Sequence, residues 1–188
     1  MGGMTHTPQS PFATDFDGPF GIPPFDRIED DQFGPAIDAA LTDARAAVAA
    51  IADDPEPPTF ANTIDALELS DRPLDRVLGV FYNLAGSDSN PAREALMREV
   101  SPKLAAYSSW VSGNDALFAR IEDLWSRRDD LDLTDEQARV LMLTRRGFVR
   151  SGAALEPKAK ARHAEIRQRL AELGTAFTQN LLADERDW

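Results

Sequence analysis

The sequence predicts an all-α protein, an array of six or seven mostly antiparallel helices joined by short turns. Apolar residues recur at steps of three and four along most of the chain, which is the spacing of one face of an α-helix. The strict alternation of apolar and polar residues that is typical of half-buried strands is not found. Prolines, glycines and capping residues interrupt the helical pattern at intervals that fit short connections.

The first predicted helix follows a polar arm, rich in proline and glycine, that covers residues 1–21. Pro35 is expected only near the start of this helix, where its missing N–H would have no partner. The stretch DPEPPTFANT, residues 54–63, ends the helix by about Asp53, because a residue before proline disfavours helical geometry. We expect this stretch to be a rigid corner that sets the angle between the first two helices. The apolar face before it comprises Phe33, Ile37, Leu41, Ala44, Val48 and Ile51.

Two helices follow this corner. Thr59 or Asn62 caps the first of them, and Pro73 kinks or interrupts it. Asn90 and Pro91, a cap followed by a first-turn proline, begin the second. The apolar stripe of that second helix comprises Leu96, Val100, Leu104, Tyr107 and Val111.

Three further helices complete the predicted array. Asn114 caps a short one, and Thr134 with Gln137 matches a capping box at the start of the next. Gly152 ends that helix and Pro157 starts the longest one. No stop signal follows the longest helix, so we expect a chain cut inside a larger protein. The broad apolar face of that helix comprises Ala159, His163, Ile166, Leu170, Leu173, Phe177 and Leu181.

Composition and charge exclude several classes of function. The net charge is -12, and residues 1–56 hold 11 acidic side chains against 2 basic ones. Because phosphates repel an acidic surface, we expect no nucleic-acid partner. The absence of cysteine excludes disulfides and thiolate chemistry. No apolar stretch approaches the roughly 20 residues that span a bilayer and no signal peptide is recognisable, so we expect a cytoplasmic protein without a membrane partner. Arginine outnumbers lysine 17 to 3, which suggests a GC-rich bacterial genome.

A hydrolytic zinc site needs about three protein ligands, usually histidines and a carboxylate. The chain has two histidines, His6 in the arm and His163 on the last helix, and the latter lies in HAEIR with no second histidine one turn away. Carboxylates cluster at residues 29–31, 53–54 and 127–136, where acids stabilise helix N-termini and stay solvated. We therefore assign no catalytic, cofactor-binding or metal-binding residue. We interpret four aromatic residues as packing in the core or against a partner: Tyr82, Tyr107, Trp110 and Trp125.

Five segments occur in a fixed order along the chain. They are FDRIEDDQFGPAIDAAL, DPEPPTFANTIDALE, LDRVLGVFYNLAGSDSN, VSPKLAAYSS and FVRSGAALEPKAKARHAEIRQRLAELGTAFTQNLLAD. Together they resemble the N-terminal region of the thimet oligopeptidase family of zinc metallopeptidases, in particular its bacterial peptidyl-dipeptidase and oligopeptidase A type. The resemblance covers about residues 22–188. It implies a largely helical enzyme that encloses a deep channel between two halves.

The resemblance also implies how the full-length parent acts. Zinc is held there by a His-Glu-x-x-His helix and a downstream glutamate, and the glutamate of the motif activates the metal-bound water. Neither element has a matching position in this sequence, so no catalytic or metal residue is carried over and no cofactor is expected in this segment.

Two functions are predicted from this resemblance and from the missing motif. In the first, residues 22–188 are the N-terminal helical domain of a zinc oligopeptidase or peptidyl-dipeptidase that hydrolyses short peptides, truncated before the catalytic domain. This segment would form one wall of the substrate channel, be inactive by itself and have the missing catalytic domain as its partner. The alternative is a stand-alone helical protein-interaction module without catalytic activity.

Overall fold

The computed structural model describes residues 10–156, 158–163, 165–166, 169–170, 173–174 and 177. Within these residues the chain is mainly α-helical and contains no β-strand, which confirms the predicted all-α class. The helices are α1 (Asp30–Ala52), α2 (Ala66–Ser70), α3 (Arg72–Ser87), α4 (Pro91–Ser112), α5 (Asp115–Ser126) and α6 (Asp135–Arg150). The described residues from 158 onward are also helical. None of these described helices is both long enough and apolar enough to cross a membrane.

The long helix α1 is the centre of the fold, because α2, α3, α4 and α5 all pack against it. It begins with a capping box, in which the backbone N–H of Glu29 donates to Oε1 of Gln32 at 2.9 Å and the Glu29 side chain accepts in return. It ends at Ala52, as the proline-rich stretch predicted. Its buried face comprises Phe33, Ile37, Ala40, Leu41, Ala44, Val48 and Ile51.

The prediction for Pro35 is wrong in one respect. Pro35 lies inside α1, beyond the first turn, and not at the helix start. The capping box at Glu29 and Gln32 starts the helix about one turn earlier than the apolar pattern alone indicates. At this position Pro35 cannot donate the usual helical hydrogen bond to the carbonyl of Asp31.

Buried apolar side chains form two clusters that share α1. The first cluster lies between the N-terminal half of α1, helices α3 and α4, and the segment that precedes α1. The second lies between the C-terminal half of α1, the turn that leads into α2, and helices α5 and α6. Trp110 and Val111, near the end of α4, pack against both clusters. A single continuous helix therefore fixes the two halves of the array to each other.

Part of the predicted polar arm packs against the first cluster, through Phe12 and Phe16. Phe12 is only 5% exposed, and its ring centroid lies 5.3 Å from that of Phe33. Nη1 of Arg76 donates to the Phe12 carbonyl at 3.1 Å, and the same guanidinium pairs with Asp15. Phe12 stands outside any periodic apolar pattern, so sequence reasoning did not place it in the core.

Capping contacts confirm most of the predicted helix starts. The side chains of Asn90, Asn114 and Thr134 each accept a hydrogen bond from the backbone N–H three residues on, at 2.9, 2.9 and 3.2 Å. Gly113 follows the last residue of α4. Pro102 lies within α4, which continues past it for more than two further turns.

Candidate functional site

A buried arginine of α5, Arg120, donates hydrogen bonds to the corner between α1 and α2. Residues 54–58 include three prolines, which leaves few N–H groups to pair with the carbonyls there. Nη1 of Arg120 donates to the carbonyls of Asp54 and Glu56, at 2.8 and 3.1 Å. Nη2 of Arg120 donates to the carboxylate of Asp54 at 3.2 Å. The shape of the corner therefore depends on α5 as well as on its own prolines.

Arg120 is 7% exposed, and its Nε has no hydrogen-bond partner among the described residues. A buried guanidinium is tolerated when its charge is paired and most of its donors are used. Sequence reasoning missed this residue, although Arg120 stands three positions after Leu117 and four before Leu124 on the apolar face of α5. A charge within such a face is the signal that could have identified it.

The helix resumes after the corner through a reciprocal cap. Oγ1 of Thr59 accepts from the N–H of Asn62 at 3.0 Å, and Oδ1 of Asn62 accepts from the N–H of Thr59 at 2.7 Å. Nδ2 of Asn62 also donates to the carbonyl of Pro57 at 3.1 Å. Both candidates for the predicted cap thus take part. The first turn, Phe60–Asp65, is π-helical and leads directly into α2.

A second buried polar contact lies where Asp71 separates α2 from α3. Asp71 accepts a hydrogen bond from the hydroxyl of Tyr107, which is buried. The guanidinium of Arg45 lies 5.5 Å from the centroid of the Tyr107 ring and 5.1 Å from that of Trp110. Burial, followed by the hydrogen bond to Asp71 and the charge of that carboxylate, raises the pKa of Tyr107 well above its ordinary value. The hydroxyl therefore stays protonated as a structural donor.

Tyr107→Phe is expected to cost about 1–3 kcal/mol near neutral pH, because the carboxylate of Asp71 loses a buried donor. The cost should shrink at alkaline pH. Above about pH 10 an unfolded tyrosine loses its proton while the folded Tyr107 keeps it, so wild-type stability falls as pH rises. Urea unfolding of both proteins at pH 8 and pH 11 should show the difference shrinking by about 1 kcal/mol. A difference that is the same at both pH values would contradict this.

The four aromatic residues interpreted from sequence as packing residues differ in burial and in the groups that their rings contact. Tyr107 is buried, while Trp110 and Trp125 are half-buried. The Trp125 ring lies near two guanidinium groups, 4.4 Å from that of Arg128 and 5.1 Å from that of Arg145. Tyr82 is exposed, although its ring contacts a core phenylalanine.

No group of three or more His, Asp or Glu side chains is placed to hold a metal ion among the described residues. His163 is half-buried and lies against Gly152. A Cβ at position 152 would stand 3.0 Å from Nδ1 of His163, where φ is +94°. His6 lies outside the described residues, so the prediction about it stays a prediction.

The carboxylates at the start of α1 make structural contacts. Oδ2 of Asp30 accepts from Nδ2 of Asn90, and Oδ1 accepts from Nε of Arg93, both at 2.7 Å. These bonds tie the start of α1 to the start of α4. Burial by itself would raise the pKa of Asp30, but the hydrogen bonds from Asn90 and Arg93 and the charge of Arg93 outweigh it and lower the pKa. A carboxylate held in its ionised form is a poor general acid.

The last helix carries an exposed row of large apolar side chains. Ile166, Leu170, Leu173 and Phe177 are 43, 62, 49 and 70% exposed. Their spacing of four, three and four residues places them on one face, and we call this set the C-terminal apolar stripe. Leu181, predicted on the same face, lies outside the described residues. An exposed apolar surface of this kind is typical of a protein interaction site, and the stripe is the candidate functional surface.

Comparison with curated proteins gives three informative relatives. The chain is 38% identical over 165 residues to a dipeptidyl carboxypeptidase of Salmonella typhimurium, a match that covers 88% of this chain and 24% of the relative. It is 36% identical over 177 residues to a dipeptidyl carboxypeptidase of Escherichia coli, a match that covers 94% of this chain and 26% of the relative. It is 29% identical over 169 residues to an oligopeptidase A of Salmonella typhimurium, a match that covers 90% of this chain and 25% of the relative. No family model matches the chain.

These relatives define the class of protein, since all three carry the names of peptidases. More particularly, the chain is related to the dipeptidyl carboxypeptidases and oligopeptidases A, which confirms the resemblance to the thimet oligopeptidase family. It spans about a quarter of the length of the curated relatives that it matches.

Proposed function

We propose that this chain is the N-terminal helical domain of a zinc-dependent oligopeptidase or peptidyl-dipeptidase that hydrolyses short peptides. The observation that carries the proposal is the 36–38% identity to two dipeptidyl carboxypeptidases over about nine-tenths of the chain. The described residues do not fit a zinc ligand set, because no three candidate ligands come together. In this proposal zinc binding and hydrolysis therefore belong to the rest of the parent, and no step of hydrolysis is assigned to these helices.

The fold supports a role as one wall of a substrate channel. A wall that excludes folded proteins has to keep its shape, and α1 links both hydrophobic clusters in one continuous helix. The corner between α1 and α2 is bound by Arg120, so the angle between these helices is fixed by buried contacts. The C-terminal apolar stripe supports a docking surface for the catalytic part of the parent.

The stripe also supports the second candidate, a stand-alone interaction module whose partner covers the same apolar face. The two candidates differ in what restores activity. A domain of a peptidase should work when it is joined to the remainder of a related peptidase, whereas an independent module should not.

A chimera tests the proposal. The matching quarter of the Escherichia coli dipeptidyl carboxypeptidase is replaced by this chain, and hydrolysis of a fluorogenic hexapeptide is measured with and without a zinc chelator. We expect chelator-sensitive hydrolysis. Leu170→Asp with Phe177→Asp should abolish it by charging the stripe, while Ala105→Asp with Ala106→Asp, on the exposed side of α4, should leave it intact. A folded chimera without activity would count against the proposal and favour the interaction module.

The isolated chain is expected to self-associate weakly, because the stripe has no described residue covering it. Multi-angle light scattering over a range of concentrations should show a mass that rises with concentration, and Leu170→Asp should remove the rise. The pair Ala105→Asp and Ala106→Asp provides the matched control. A strict monomer at high concentration would argue against an exposed docking face.

A further inference from the structure

A groove of about 770 Å³ lies between α1, α3 and the segment that precedes α1. It is separate from the C-terminal apolar stripe and from the Arg120 corner, because neither contributes to its lining. Its volume falls within the range of about 300–1,000 Å³ that small-ligand sites occupy. The apolar part of its lining includes Phe12, Pro35, Ala36, Ala39, Ala40 and Val77.

Small side chains of α1 make the groove possible. Ala36, Ala39 and Ala40 lie three and four residues apart, so they share one face of the helix, and their short side chains leave room for the groove. Pro35 lines the same face.

The charge around the groove is negative. Glu29, Asp31 and Asp43 contribute to its lining, and Arg76 is the one basic residue among the described lining residues. The guanidinium of Arg76 already has partners, since it donates a hydrogen bond to the Phe12 carbonyl and forms an ion pair with Asp15. Asp31 and Asp43 are exposed, and their side chains make no hydrogen bond or ion pair with the described residues. The two free carboxylates favour a cationic ligand.

The distance between the two carboxylates sets the length of that ligand. Asp31 and Asp43 stand twelve positions apart in α1, which corresponds to about 18 Å along the helix. An extended peptide covers this distance with about five or six residues, at roughly 3.3 Å per residue. A helix of the same length is about 10 Å across and exceeds the volume of the groove.

We propose that this groove binds an extended peptide of five or six residues that is apolar in its centre and basic at both ends. The central side chains lie over the three alanines of α1, and the two cations pair with Asp31 and Asp43. The proposal goes beyond the peptidase assignment, because the site is formed by this chain alone and does not require a catalytic partner.

Fluorescence anisotropy of the whole chain with labelled Arg-Leu-Ala-Val-Leu-Arg tests the proposal. We expect saturable binding that Asp31→Asn with Asp43→Asn weakens about three- to tenfold, the range expected for two exposed ion pairs. Asp132→Asn with Glu156→Gln removes the same charge at exposed positions outside the groove and should change nothing. High salt should also weaken binding, because it screens exposed charges.

A second variant fills the groove without changing charge. Ala39 is an exposed helical position, so the fold should tolerate Ala39→Leu. The larger side chain should occupy the space over the alanines and weaken binding about tenfold or more. Three results would each overturn the proposal: no saturable binding up to about 1 mM peptide, equal binding when glutamate replaces both arginines of the peptide, or unchanged binding in both groove variants.

Discussion

Arg120→Ala is expected to lower the free energy of unfolding by about 3–5 kcal/mol, the range for removing one partner of a buried charged contact. The arginine is 7% exposed and bonds two carbonyls and a carboxylate of the corner. Without it, the half-buried carboxylate of Asp54 loses its ion-pair partner and keeps only the hydrogen bond from the N–H of Glu56, and two carbonyls lose the donors that Arg120 supplies. Urea unfolding followed by far-ultraviolet circular dichroism measures the effect.

Two further variants make this test specific. Arg120→Lys keeps the charge but not the planar fork, so it should recover only part of the lost stability. Arg72→Ala removes an ion pair whose side chains are 63% and 61% exposed, and it should cost less than about 1 kcal/mol. An Arg120→Ala protein that unfolds within about 1 kcal/mol of the wild type would show that the corner holds itself in place.

Phe33→Ala is expected to cost about 3–5 kcal/mol, as large-to-small changes at fully buried aromatic sites do. Phe33 is completely buried, and its ring centroid lies 5.3 Å from those of both Phe12 and Phe81. It therefore joins the segment before α1, α1 itself and α3. The same urea unfolding measures the loss, and the midpoint should move to much lower urea.

The matched control is Phe20→Ala, because Phe20 is fully exposed. That change should stay within about 0.5 kcal/mol of the wild type. If Phe33→Ala and Phe20→Ala destabilise the chain equally, the first hydrophobic cluster does not have the arrangement described above.

The helices were predictable because their signals are local. Asn90, Asn114 and Thr134 cap the helices that they were expected to cap, since a cap needs only its own side chain and an N–H three residues on. Pro35 was placed less well, because a capping box upstream moved the helix start. That box is also a local signal, and reading it would have corrected the prediction.

The contacts that sequence reasoning missed are distant along the chain. Arg120 reaches back more than sixty residues to the corner, and Phe12 meets a ring of α1 across a segment without periodicity. Neither partner can be identified from spacing, because spacing describes only neighbours on the same element. The described residues of the predicted apolar face of the last helix lie on one side of it, but spacing alone does not say how exposed they are, since exposure depends on what else packs against them.

We propose that these helices form part of a peptidase and do not hold the catalytic zinc. The most direct measurement is dialysis of the purified chain against zinc, followed by elemental analysis and by an assay of hexapeptide hydrolysis with and without a chelator. We expect zinc well below one ion per chain and no chelator-sensitive hydrolysis. One zinc ion bound per chain, with hydrolysis that a chelator abolishes in a preparation free of other proteases, would contradict it.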